Sequence, residues 1–221
     1  MGEAELIKAS RTIVIKSVLI FYGDAASADL TEQIADDTQC HWNEPRAEVI
    51  IDDQLYGVLF DIQGKYMPDL EPEAVWYNDD PTLNFFRIEE YVEGNISFVD
   101  AIGCNTGYYK LENLLQTSTT AAHEYGHTLG LVHPKVLDVR GISVPRIMYP
   151  RGTICDPAYQ YDPLAEINAP GGCLNPVYRR VLQEDIDELN LQKLDFNNKN
   201  KAVVGEFTSL YHAKHKVPSF Q

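Results

Sequence analysis

Thr120-Ala121-Ala122-His123-Glu124-Tyr125-Gly126-His127-Thr128-Leu129-Gly130-Leu131-Val132-His133 decides how the rest of this chain is read. Its spacing is H-E-x-x-H-x-x-G-x-x-H. On a helix, His123 and His127 lie one turn apart on one face, so both imidazoles can reach a single metal ion. Glu124, beside His123, is placed to act as a general base on a water at that metal. Gly130 stands where the helix has to stop, and a residue without a Cβ takes the left-handed conformation that turns the chain sharply. That turn brings His133 back as a third ligand. Three neutral imidazoles leave one position of a tetrahedral zinc open, the pattern of a catalytic site rather than a structural one. A lone H-x-x-x-H is often two ordinary surface histidines. Here the Glu, the Gly and the third His all fall at the offsets the chemistry needs.

Upstream of this stretch the pattern is mostly that of strands. Thr12 to Tyr22 is rich in β-branched residues and reads as a strand ended by Gly23-Asp24. Ser27 to Trp42 reads as a helix, capped by Ser27 or Asp29, with Leu30, Ile34 and Thr38 on one face and Pro45 closing it. Ala47 to Ile51 and Leu55 to Gln63 form a hairpin around Asp52-Asp53, and a loop is expected from Gly64 to Pro72. Strands are expected at Asn84 to Val92, Ile96 to Gly103 and Gly107 to Leu111, with Glu93-Gly94-Asn95 as a turn. The helix carrying the histidines should start at about Asn113 or Thr117 and run to Leu129.

Downstream lies a long irregular segment from Pro150 to Pro176, and structureless loops of that length usually carry function. A helix is expected from Asn175 or Pro176 to about Lys193, with Val177, Val181, Ile186 and Leu189 as its apolar face. The tail from Asn197 is polar, with Val203 to Tyr211 as a docked strand or short helix. The whole reads as one α/β (α+β) domain, residues 1–221. Residues 12–133 make an N-terminal subdomain, 134–196 a C-terminal subdomain, and 197–221 a tail.

The chain has 33 acidic and 18 basic residues, a formal charge of −15. That balance argues against nucleic acid and against anionic membrane surfaces as partners. No apolar stretch is long enough to span a membrane. Met1-Gly2-Glu3-Ala4-Glu5 lacks the basic start and apolar centre of a signal peptide. Of the four cysteines, Cys155 and Cys173 flank a loop rich in Pro, Gly and Asp and are the first pair to expect as a disulfide, with free thiols as the alternative.

With these residues in view, the chain resembles the metzincin zinc peptidases. The motif from His123 to His133 carries the resemblance first. Ser143-Val144-Pro145-Arg146-Ile147-Met148-Tyr149-Pro150 resembles the Met-turn of the matrixin branch, in which a methionine lies beneath the zinc. Val181 to Leu189 resembles the start of the matrixin C-terminal helix, and Gly94 to Cys104 resembles an edge strand above the cleft in its adamalysin form. The resemblance spans roughly Thr12 to Leu194. It implies a twisted mixed sheet of about five strands, three main helices and an active-site cleft below the edge strand. The departures are a missing cysteine switch in the first forty residues, no clear match for the matrixin structural zinc and calcium loops, and a long segment from Arg151 to Asn175.

The resemblance implies a zinc-dependent endopeptidase. His123, His127 and His133 hold Zn(2+), and Glu124 is general base and then general acid. Met148 forms an apolar floor, which differs little from ordinary core packing. Tyr149 and Pro150 line the pocket for the residue after the scissile bond. The strand around Phe98 and Ala101, with Ile102 nearby, binds an extended polypeptide by strand addition. The family habit is secretion, and the protein is expected to act as a monomer. Calcium ligands are available in Asp24 to Asp29 and Asp156 to Asp162, but solvated turns are the simpler reading of both. His212 and His215 are read as an exposed tail rather than a second metal site, and His41 as a packing residue at a helix end. Two other functions compete: a scaffold that binds zinc or polypeptide without turnover, and a zinc hydrolase acting on a non-protein amide or a narrow peptide.

Overall fold

Strand β2 (Thr12–Tyr22) is the axis of the sheet. In this computed structural model, which describes residues 1–115, 118–142, 144–166 and 169–217, β2 alternates buried and half-buried residues and then becomes wholly buried. Its β-branched and aromatic side chains suit a strand covered on both faces. β4 (Gln54–Tyr66) runs parallel to β2 along one side, and β3 (Glu48–Ile51) pairs antiparallel with β4 through a turn at Asp52-Asp53. Both turn residues have positive φ, 49° and 59°, the conformation that matches the twist of a two-residue hairpin. On its other side, the second half of β2 pairs in parallel with β5 (Leu83–Glu89), which pairs in parallel with β7 (Thr106–Lys110). β6 (Phe98–Val99) closes that side, antiparallel to β7.

The first half of β2 takes a different partner. β1 (Gly2–Ile7) pairs with it antiparallel, and β8 (Lys201–Val204) pairs with β1. The fold is therefore mixed α/β, as expected, with eight strands among the described residues rather than about five. β1 was not anticipated because its inward positions, Gly2, Ala4 and Leu6, alternate with two glutamates and read as polar. Gly2 and Ala4 are small because β1 lies close against β2: a Cβ on Gly2 would stand 2.8 Å from Ser17 Oγ and 2.9 Å from Ile15 Cγ2.

Helix α1 (Ala28–Asn43) lies on the sheet, its first turn capped by Ser27 Oγ accepting from Leu30 N–H at 3.2 Å. It buries Thr31, Ile34, Ala35, Thr38 and Trp42. Helix α3 (Thr120–Thr128) carries the histidine motif and packs against α1, where Trp42 Nε1 donates to Ala122 O at 3.0 Å. β4 continues to Tyr66, shortening the expected loop at its start, and a short helix α2 (Pro72–Trp76) begins where that loop ends. No helix among the described residues is long and apolar enough to cross a membrane.

Three expectations are corrected. First, no helix runs from Asn175 to Lys193. A single 3-10 turn at Pro176–Tyr178 gives way to extended backbone at Arg179 and Leu182, and Arg180 forms a parallel bridge with Arg146. Helix α4 (Gln183–Glu188) begins only where Asp185 Oδ2 accepts the Leu182 N–H at 2.9 Å. Second, the edge strand is shorter than Ile96 to Gly103. Asp100 N–H bonds Thr106 O and Cys104 N–H bonds Ala101 O, so the chain after Val99 folds into a turn and leaves two residues paired. Third, α3 starts at Thr120, and a separate 3-10 turn occupies Leu111–Leu114. Thr117, the other start considered, and Ser143, the first residue of the segment around Met148, lie outside the described residues. Cys155 and Cys173 are free thiols, so the expected disulfide is not formed.

Candidate metal centre

All nine residues of α3 are buried, so the helix is held on every side. Tyr125 is fully buried, its hydroxyl 2.7 Å from Ser17 Oγ of β2 and its ring 5.5 Å from that of Trp42. This leaves the His123–His127 face as the wall of a cleft. After Thr128 the helix turns at Gly130, which has φ +99°. The Leu131 N–H bonds back to Gly126 O at 3.0 Å, and His133 returns to the other two histidines.

The three Nε2 atoms converge. His133 Nε2 lies 3.0 Å from His123 Nε2 and 3.1 Å from His127 Nε2. The far side of two rings is tied to the backbone, His123 Nδ1 to Ile147 O at 2.7 Å and His127 Nδ1 to Leu131 O at 2.8 Å. A carbonyl can only accept, so each Nδ1 carries the hydrogen and each Nε2 keeps a lone pair aimed at the common centre. Burial holds these imidazoles neutral. Desolvation lowers His127 to about 4, with His133 adding to it, and lowers His123 well below its ordinary value, with the Arg179 charge adding to it. His133 is exposed and lowered less, again by desolvation first. Three neutral imidazoles, two of them with fixed tautomers, make a donor set that fits Zn(2+). They form the one cluster of metal-type ligands among the described residues.

Glu124 is 7% exposed, and desolvation lifts its carboxyl to about 8 against the pull of Arg179, the Val99 amide and Arg151. Two cavities open beside it. One, of about 220 Å³, is lined by Asn113, Thr120, Pro150, Arg151 and Arg179. The other, of about 370 Å³, runs under Phe98, Val99, Ala101 and Ile102. Both share His123, Glu124 and His133.

The segment after the histidines closes the floor. Met148 is fully buried, with its sulfur against Gly126 on the body side of α3. Pro150 lines the smaller cavity, whereas Tyr149 packs with Val139, Cys155 and Leu174 and lines neither. Phe98 lines the larger cavity and stacks on Tyr108 at 6.2 Å. His212 and His215 do not form a free tail, which corrects the reading from sequence. His212 Nε2 lies 2.9 Å from Asp100 Oδ1, and the His215 ring stacks 3.9 Å from Tyr108. Of the acidic loops considered for calcium, Asp24 pairs with Lys214 at 2.5 Å, and Asp156 accepts from Gly141 N–H at 2.9 Å.

Sequence reasoning missed Arg179. Its side chain is 3% exposed, with Nε donating to Thr119 Oγ1 at 2.9 Å and Nη1 to Tyr149 O at 3.0 Å. Nη1 also stands 2.9 Å from His123 Nδ1. Val177, Arg179 and Val181 alternate as in an extended segment, a signal hidden by reading the same residues at helical spacing.

No family model matches the chain, and no curated protein matches it. Among solved structures the chain is similar to that of myroilysin, at 10% identity and a TM-score of 0.38, over 87% of this chain and 99% of that one. At that level the functional argument rests on the geometry of the site.

Proposed function

We propose that this protein is a zinc-dependent endopeptidase of the metzincin kind, nearest the matrixin branch. The observation that carries the reading is the convergence of three Nε2 atoms, two of them with tautomers fixed from behind, beside a buried carboxyl at the meeting of two cavities. His123, His127 and His133 would hold the ion. When bound there, zinc lowers the pKa of water and polarises a peptide carbonyl.

The chain's own groups supply the rest. Glu124 takes a proton from the attacking water and hands it to the leaving amine nitrogen. Its burial, with the Val99 amide nearby, excludes bulk water from that transfer. β6 ends the sheet on this side, and its unpaired edge suits an extended polypeptide added as a further strand. Phe98 and Ala101 would contact residues before the cut, and Pro150 the residue after it. Met148 supports the helix from behind the imidazoles, consistent with the role a Met-turn implies.

Elemental analysis of the purified protein, with casein cleavage assayed on the same sample with and without a chelator, tests this reading. About one zinc per chain and chelator-sensitive cleavage are expected. One zinc with no cleavage of any protein substrate would favour the binding-scaffold or narrow-substrate reading. Absence of zinc after reconstitution at neutral pH would sink the assignment.

A further inference from the structure

The cavity bounded by Pro150 has an unusual charge balance. Two arginines, Arg151 and Arg179, line it against a single carboxyl, that of Glu124, in a chain where carboxylates outnumber cations 33 to 18. Only two arginines in the described residues are buried, Arg87 and Arg179. Arg87 meets Glu89 at 2.6 Å, the ordinary arrangement for a buried charge. Arg179 donates only to neutral acceptors, a hydroxyl and a carbonyl, and its Nη1 also stands beside the His123 ring. Arg151, more exposed, donates from Nη2 to the neutral Asn113 Oδ1 at 2.9 Å. Neither arginine has a carboxylate within 4 Å among the described residues, although the part-buried Arg146 has two.

A buried guanidinium without a counter-ion is costly unless a partner arrives from outside. Its fork of N–H donors matches a carboxylate, and a second arginine at the same cavity doubles the pull. The volume, about 220 Å³, is smaller than the roughly 300–1,000 Å³ of pockets for drug-sized ligands, so it suits a single residue.

We propose that this cavity is a carboxylate pocket, selecting substrates with an anionic group on the residue that follows the scissile bond. The carboxylate is either an aspartate or glutamate side chain or the free carboxyl of a chain end. The proposal rests on the endopeptidase reading for which bond is cut, but the pocket's charge preference is measurable without turnover.

The test uses zinc-loaded Glu124→Gln protein and hexapeptide pools with Glu or Gln fixed at each position in turn. Each pool is made with a free carboxyl or a carboxamide end, and binding is followed by calorimetry. The acidic pool at one position, or the free-carboxyl pools, should bind roughly tenfold more tightly than the amide counterpart. That preference should weaken as salt rises. In the Glu124→Gln background, Arg151→Gln should bring it close to unity with zinc content and fold unchanged. Arg179→Lys, which keeps the charge but not the fork, should reduce it without abolishing it. Equal binding of acidic and amide pools, or a preference untouched by Arg151→Gln, would overturn the proposal. A preference without wild-type cleavage keeps the pocket and removes the peptidase reading; cleavage without preference does the reverse. Side-chain pools alone, or free-end pools alone, identify the source of the carboxylate.

Discussion

The Met148 sulfur occupies the space that a Cβ on Gly126 would need. Trp42 crowds the same point, with Cζ2 3.2 Å from the position of that Cβ. Gly126 lies inside the H-E-x-x-H turn, so the helix bearing the metal ligands is seated by close approach rather than by side-chain interlock. Gly126→Ala should therefore cost about 1–3 kcal/mol by overpacking and reduce zinc affinity. Adding Met148→Ala should recover part of that loss. Denaturant unfolding of the two single variants and the double variant measures the coupling, and strict additivity would rule out the contact as the cause.

Glu124→Gln keeps the shape of the carboxyl but cannot carry the proton. Cleavage should fall by at least about 10²–10⁴, with zinc content and far-ultraviolet circular dichroism unchanged. Residual cleavage near the wild-type rate would remove Glu124 from the chemistry.

Gly130→Ala separates backbone strain from packing. Gly130 has φ +99° and nothing within 4 Å of the position a Cβ would take. The substitution should cost only the left-handed backbone penalty, about 1–2 kcal/mol, yet displace His133. Zinc affinity measured by competition with a chromogenic chelator should drop tenfold or more while the fold persists. Unchanged affinity would show that His133 is not held by this turn.

Stability of the metal-free protein should rise from acid toward neutral pH, with Glu124 opposing that rise. Buried neutral His127, lowered to about 4 from 6.5, favours the folded state above pH 6.5, and that contribution is lost as pH falls toward 4. Glu124, raised from 4.5 to about 8, acts in the opposite sense: its stabilising protonated form is lost as pH rises from 4.5 through 8. Between pH 6.5 and 8 two buried groups act in opposite senses: Glu124 loses stability as pH rises, and the Met1 amino group, which burial holds well below its ordinary value, gains it. Thermal unfolding of chelated protein should show a midpoint that rises more steeply with pH across that window in Glu124→Gln than in the wild type.

Asp185 is fully buried, caps Leu182 N–H at 2.9 Å and meets Arg146 at 2.9 Å. Asp185→Ala removes both partners and should cost about 2–4 kcal/mol, whereas Asp185→Asn should cost less by keeping the cap. Equal losses would assign the effect to the ion pair alone.

The cluster of three histidines was legible in the sequence because each obeys a local rule. Helical spacing sets His123 and His127, and a positive-φ glycine sets His133. β2 and α1 were legible for the same reason, through β-branched density and a serine cap. What escaped depends on distant partners. β1 is a strand because β2 and β8 lie beside it, and its small inward residues gave no apolar signal. Arg179 is buried because Thr119 and the Tyr149 carbonyl, far off in sequence, receive it. The stretch from Val177 to Leu189 carries apolar residues that fit two periods. Only the bridge from Arg180 to Arg146 decides for extended chain.

The pairing of Gly2 with Val204 has a consequence for how the molecule is made. On a ribosome, β1 is made long before β8, so the outer edge of β1 stays bare until β8 follows. Beyond β8, Glu206 N–H bonds Gly103 O, and Gly103 N–H in turn bonds the carbonyl of His127. The carboxyl end of α3 is thus latched by a segment that follows β8. Long-range closures of this kind are slow to form. The order of events is therefore vectorial: the three histidines are made first, and their frame is locked only once the segment around Glu206 has followed.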